Sequence, residues 1–232
     1  MTDVQQLKES LATCCRMLLM EGLIDYNGHV SARIPGTDRV LIHGRQVSRR
    51  VVTAEDFVTV DLDGNKLEGN TEPPGETAIH TCVYRARPDV LSVAHLHPHF
   101  STLLGIARKP IVPVFTLGAP FGDGVPVYDD PDLVVTREQG DNLARALGDK
   151  RAVLLRGHGC VIVGESVLNT FVGCIFFEEN ARKLYEGLLL GDVATFSAGE
   201  VERARKSIWR EGTARKVWIY LESKARAEGY LQ

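Results

Sequence analysis

An α/β sandwich on a largely antiparallel or mixed sheet, with a helical C-terminus, is the fold this sequence predicts. Three observations carry that reading. Helical and hairpin patterns alternate along the chain without a regular strand–helix–strand rhythm. The 232 residues are 44% hydrophobic and 25% charged, the balance of a globular chain with a substantial core. No internal repeat or low-complexity linker divides it, so positions 1–232 read as one domain whose last helices start near 197.

The elements follow in order. Leu7, Leu11, Cys14, Cys15, Leu18 and Leu19 recur at helical spacing over 4–22, with Thr2 or Asp3 as cap and Gly22 as stop. Segments 29–34 and 39–43 alternate as strands around the turn Pro35-Gly36-Thr37-Asp38, a hairpin. Thr53, followed by Ala-Glu-Asp, opens a short helical turn. A further hairpin spans 58–69 with Asp63-Gly64 at its tip. Positions 76–86 read as a helix ended by Arg87-Pro88, and 90–97 as an apolar strand. A short helix is expected over 100–107, an edge strand over 111–115 because of Pro113, and a loop over 118–132. Thr136 caps a helix that Gly148 stops. Strands at 152–156 and 160–164 flank Gly157-His158-Gly159, and helices follow over 166–190, about 197–211 and 213–228.

Bulk charge excludes some partners. The net charge is −3 and no long basic run exists, which argues against a nucleic-acid binder held by charge. No apolar stretch is long enough to cross a bilayer, and the N-terminus lacks a signal-peptide pattern. The five Cys are scattered without a C-x-x-C and read as reduced core residues of a cytoplasmic protein.

The chemistry gathers around histidine. Four of the seven His (His80, His95, His97 and His99) crowd between positions 80 and 99. Residues two apart on a strand share a face, so His95 and His97 can reach one ion while Leu96 faces the core. Their other reading is a polar patch, or one ligand beside a bystander. His158, between two glycines at a turn, is either a third ligand or a turn histidine. Glu76 opens a helix after Pro73-Pro74-Gly75. It is an ordinary helix-start acid unless that turn faces a metal, in which case it is an acid/base candidate. His80, one turn on, could orient it. His29 is a candidate substrate contact or a surface histidine. Arg45, Arg49 and Arg50 suit an anionic substrate or are simply solvated. His43 and His99 are unassigned. Trp209 and Trp218 read as core, and Tyr220 and Tyr230 as weak candidates for substrate contact.

In order and spacing, Gly28-His29-Val30-Ser31, Glu76 with His80, Arg87-Pro88-Asp89, His95-Leu96-His97, and Leu154-Leu155 with His158-Gly159 resemble the class II aldolase/adducin family over about residues 5–190. The resemblance implies a three-layer α/β/α sandwich with a mostly antiparallel central sheet. It implies a cyclic tetramer with active sites between subunits, and one divalent metal per subunit, zinc first and manganese or cobalt next. It places the ligands at His95, His97 and His158 and the acid/base carboxylate at Glu76.

Departures from the pattern bear on substrate. The two serines that precede the glutamate in the sugar-phosphate aldolases are Pro74 and Gly75 here. Their Thr-Pro-Thr-Gly phosphate cradle is His43-Gly44-Arg45-Gln46, the asparagine of Gly-Asn-x-Ser is His29, and a proton-donating tyrosine aligns with Phe115. The neutral phosphate cradle is therefore lost. His29, Gly44, Arg45, Arg49 and Gly75 become the expected lining for a small acidic substrate. This variant resembles the branch that decarboxylates hydroxylated aromatic or heteroaromatic acids. A retro-aldolase on a non-phosphorylated keto-acid is the alternative within enzymes, a sugar-phosphate substrate being less favoured. An adducin-like assembly protein is a third reading, against which the retained His95, His97, His158 and Glu76 argue.

Overall fold

Alternation along each strand sends apolar side chains to both faces of one sheet, and helices cover both. A computed structural model describes residues 4–232. The proposed caps Thr2 and Asp3 lie outside the described residues. Eight strands form the sheet: β1 (His29–Arg33), β2 (Arg39–His43), β3 (Phe57–Asp61), β4 (Lys66–Glu68), β5 (Ser92–Leu96), β6 (Val127–Tyr128), β7 (Ala152–Leu155) and β8 (Gly159–Gly164). Their order is β4-β3-β2-β1-β5-β8-β7-β6. Every pairing is antiparallel except β6 with β7.

The helices are α1 (Val4–Met20), α2 (Thr77–Ala86), α3 (His99–Ile106), α4 (Arg137–Leu147), α5 (Val167–Leu190), α6 (Ala198–Ile208) and α7 (Glu211–Ala227). On one face Val30, Ala32, Ala94, Leu96, Leu154 and Ile162 pack with residues of α1, α3, α5 and α7, such as Leu18, Leu104, Phe171 and Leu221. On the other, Val40, Ile42, Val58, Val93, Val153 and Val161 pack with Ile79 and Val83 of α2 and Leu143 and Leu147 of α4. The molecule is thus a three-layer α/β/α sandwich with a mostly antiparallel sheet. Each fully buried aliphatic side chain contributes about 1.5–3 kcal/mol to holding these layers together.

Caps set the helix starts where the sequence places them. Thr136 and Ser166 accept from the amides of Gln139 and Asn169, which satisfies donors left free at the starts of α4 and α5. Trp209 and Trp218 are partly buried against the core, as expected.

Two segments differ from expectation. Residues 111–115 form no strand. The side chain of Asn180 on α5 takes over their backbone instead. Its Oδ1 accepts from the amides of Val114 and Phe115 at 3.1 and 3.3 Å, and its Nδ2 donates to the carbonyl of Val112 at 3.0 Å. With those groups satisfied by a buried amide, no sheet ladder is needed. The stretch 118–132 is not all loop either. It shares a 3-10 turn over Thr116–Phe121 and supplies β6, whose Val127 and Tyr128 pair with Leu154 and Leu155.

Candidate active site

One end of the central strands collects the imidazoles. His29 opens β1 and is paired directly with His95 near the end of β5. Leu96 pairs with Cys160 of β8, so the turn before β8 meets the chain just after β5. That register sets His158 beside His97, their rings stacked with centroids 5.1 Å apart. Gly159 permits the approach, because a Cβ there would stand 2.1 Å from the Leu96 carbonyl oxygen and 2.7 Å from the His97 ring.

One ring nitrogen from each of His95, His97 and His158 lies within 4.8 Å of the others. His95 Nε2 and His97 Nε2 are 3.1 Å apart. His95 Nδ1 donates to the carbonyl of Cys160 at 3.1 Å, which fixes the tautomer and leaves Nε2 with a free lone pair. His158 Nδ1 is buried without a hydrogen-bond partner among the described residues. Burial, and then the neighbouring imidazoles, push His95 far below the usual histidine range and lower His97 as well. Three convergent imidazole nitrogens fit a divalent ion of borderline softness.

Glu76 faces this cluster. It occupies the N-cap position of α2, yet its side chain makes no capping bond there. Oε1 accepts from the Val134 amide at 3.1 Å and lies 3.7 Å from His158 Nε2, while Oε2 lies 3.7 Å from His95 Nε2 and 3.9 Å from His29 Nε2. The carboxylate is turned away from its own helix and into the histidines. Its side chain is 13% exposed, so solvent still reaches it.

His80 does not orient Glu76. From α2 it reaches back to the sheet, where Nε2 sits 2.8 Å from His29 Nδ1 and Nδ1 sits 2.7 Å from Ser31 Oγ. The i,i+4 spacing is real, but the ring lies fully buried against β1 and not beside the carboxylate. Sequence reasoning also missed Cys160 and Val134, which act through backbone groups and carry no side-chain signal. Burial holds His80 and His43 down to about 3 and puts His29 well below the ordinary value, with His80 its next largest influence.

The arginines divide. Arg45 is exposed, and its guanidinium lies so close over Gly75 that a Cβ there would come within 2.7 Å of Nη2. Gly44 lies under Thr71, where a Cβ would come within 2.1 Å of Cγ2. Arg49 is buried, and its guanidinium bonds the Gly28 carbonyl through Nε and Nη2 at 3.2 and 3.1 Å and the Val47 carbonyl through Nη1. It braces the backbone leading into His29. Arg50 stacks on the ring of Tyr230 at 3.6 Å. His99 is exposed at the start of α3, apart from the cluster. Tyr220 is exposed on α7.

Residues 9–185 match the model of the class II aldolase and adducin N-terminal domain. The chain belongs to the class II aldolase family. The 3,4-dihydroxyphthalate decarboxylase of Arthrobacter keyseri is 38% identical over 174 residues, covering 69% of this chain and 70% of that one. The same-named enzyme of a Terrabacter species is 36% identical over 189 residues, covering 75% and 78%. The L-fuculose 1-phosphate aldolase of Glaciozyma antarctica superposes with a TM-score of 0.86 at 20% identity, covering 100% of this chain and 96% of that one, a likeness of fold. These relatives place the chain in a branch of the family that includes decarboxylases, and they make it an enzyme of the lyase class. Among the described residues no helix is long and apolar enough to cross a membrane.

Proposed function

We propose that this lyase decarboxylates a non-phosphorylated, hydroxylated aromatic or heteroaromatic carboxylic acid, with a dihydroxyphthalate as the leading candidate class. The observation that carries the reading is the placement of Glu76. Its carboxylate stands within 3.9 Å of His29, His95 and His158, close to the glycine over which Arg45 lies. The decarboxylase relatives support the same choice. So does the absence of hydroxyl donors at His43, Arg45, Pro74 and Gly75, where the sugar-phosphate aldolases carry threonines and serines.

His95, His97 and His158 would hold one divalent ion, zinc first and manganese or cobalt next. The ion, when bound, supplies Lewis acidity toward the oxygens of the substrate. Arg45 binds the carboxylate by paired N–H donors, and His29 contributes a further polar contact. Arg49 serves from behind by holding Gly28 and the start of β1. Glu76 accepts the proton that a ring hydroxyl releases and delivers it to the ring carbon bearing the carboxylate. The bond from that carbon to the carboxylate then breaks, its electron pair returns to the ring, and carbon dioxide leaves.

The same reading includes a homotetramer with sites at subunit interfaces and a cytoplasmic location. The exposed Leu189, Leu190 and Ile219 support an assembly, and five free, buried cysteines suit a reducing compartment. A product screen tests the reaction. The purified protein is incubated with hydroxylated aromatic acids, and carbon dioxide and the decarboxylated phenol are measured. An aldehyde with a pyruvate-like product, from a hydroxylated keto-acid, would assign the retro-aldol reaction instead.

A further inference from the structure

Behind His29 runs a buried hydrogen-bonded chain whose other members, His80, Ser31 and Tyr84, have no part in the reaction. His29 Nδ1 is 2.8 Å from His80 Nε2, and His80 Nδ1 is 2.7 Å from Ser31 Oγ. Ser31 Oγ is in turn 2.7 Å from the Tyr84 hydroxyl. His80, Ser31 and Tyr84 are each 0% exposed. A neutral imidazole has one N–H to give and a hydroxyl has one O–H. Each link therefore holds one proton, and the direction of one link dictates the next.

Tyr84 sets that direction. Among the described residues, the side-chain partner of its hydroxyl is Ser31. In a fully buried pair, an O–H left without an acceptor costs more than a lone pair left without a donor. The phenol proton thus has Ser31 Oγ as its acceptor. Ser31, its oxygen already accepting, turns its own proton to His80 Nδ1. His80 must then carry its hydrogen on Nε2 and donate it to His29 Nδ1. His29 is left protonated on Nε2, the nitrogen 3.9 Å from Glu76 Oε2. That separation is too long for a direct bond and leaves the N–H for another oxygen.

We propose that Tyr84, acting through Ser31 and His80, holds His29 as the Nε2–H tautomer, so that it presents a donor and no lone pair to an anionic oxygen of the substrate beside Glu76. Tyr84, Ser31 and His80 are positioning residues in this scheme, and His29 makes the contact. The contact to substrate rests on the reading of the site as one for a small acid, whereas the tautomer itself does not. With the chain reversed, the same ring would turn a lone pair toward the carboxylate and repel it.

The test reads the tautomer directly. Zinc-loaded protein labelled with 15N-histidine is examined at neutral pH by two-bond proton–nitrogen correlation, and the His29 signals are assigned by their loss in His29→Gln. The expected wild-type pattern is a protonated Nε2 and an unprotonated Nδ1. Tyr84→Phe keeps the ring volume and removes the proton that sets the direction. Ser31→Ala cuts the chain one link nearer and serves if the first variant fails to fold. Either is expected to give a mixed or inverted His29 pattern, and to raise KM for the acid about tenfold with kcat changed far less. A wild-type His29 protonated on Nδ1, or a pattern unchanged in both variants, would overturn the proposal. An inverted tautomer with KM unmoved would overturn the substrate contact. If carbon dioxide is never released while the expected pattern is seen, the reaction assignment fails and the tautomer assignment stands.

Discussion

Glu76 Oε2 stands 3.7 Å from Nε2 of His95, a carboxylate oxygen facing an uncharged ring nitrogen that no backbone group occupies. That distance is too long for a direct hydrogen bond, so neither group satisfies the other. It turns a helix-start acid into the candidate acid/base group of the site.

Glu76→Gln preserves shape and the bond from the Val134 amide to the side-chain oxygen, but it cannot carry the proton. The expected result is a fall in kcat of about 10²–10⁴-fold. Metal content, measured by elemental analysis, should be unchanged. An equal loss of metal would mean that Glu76 is a ligand and not the proton carrier.

His97→Ala removes one of three convergent nitrogens. Affinity for zinc is expected to fall by at least about a hundredfold, because even weaker perturbations of ligand orientation cost 10- to 100-fold. Competition with a chromogenic chelator measures it. His99→Ala, on an exposed side chain apart from the cluster, should bind zinc as the wild type does.

Arg45→Met should raise KM for the acid by about 10- to 100-fold and leave kcat within a few-fold, the signature of lost ground-state binding. Steady-state kinetics decide this. Arg49→Met should behave differently, lowering the melting temperature, since its guanidinium bonds the carbonyls of Gly28 and Val47.

Acid should destabilise the fold through its buried histidines. His43 and His80 are held down to about 3, in both cases first by burial, then by Arg49 and by His43 respectively. Unfolded, each takes up a proton near pH 6.5, so between roughly pH 6.5 and 3 the unfolded chain binds more protons. Their stabilising contribution is complete above pH 6.5 and is lost as the pH falls toward 3, by up to about 1.4 kcal/mol per pH unit for each ring. Urea midpoints measured from pH 8 to 4 should be flat at first and then decline. Stability that rises on acidification through this window would contradict the assignment.

Asn180→Ala should cost about 3 kcal/mol, because it strands two amides and a carbonyl in a segment with no sheet partner. Equilibrium denaturation measures the loss.

Much of this architecture is legible in the sequence because strand alternation and helix capping are local. His95-Leu96-His97 can be read as a ligand pair from a two-residue period, and the structure puts Leu96 in the core and the two rings together. The direction of His80 is not legible. Its spacing from Glu76 describes a helix face but not which sheet residue that face meets. Arg45 and Arg49 look alike in sequence, and the carbonyls that consume Arg49 are backbone groups without a sequence signal. The segment 111–115 has strand-like residues, and the side chain that keeps it from pairing lies on α5. Long-range partners of this kind depend on packing, which no local pattern encodes.

The most direct test of the central claim is carbon dioxide released per molecule of 3,4-dihydroxyphthalate, or of a related hydroxylated acid, by protein of known metal content. It is measured before chelation, after chelation, and after one equivalent of zinc or manganese is restored. The expected result is one carbon dioxide per acid consumed, lost on chelation and regained with metal, with His97→Ala inactive throughout. Release that survives chelation, or cleavage to an aldehyde and a keto-acid without carbon dioxide, would contradict it.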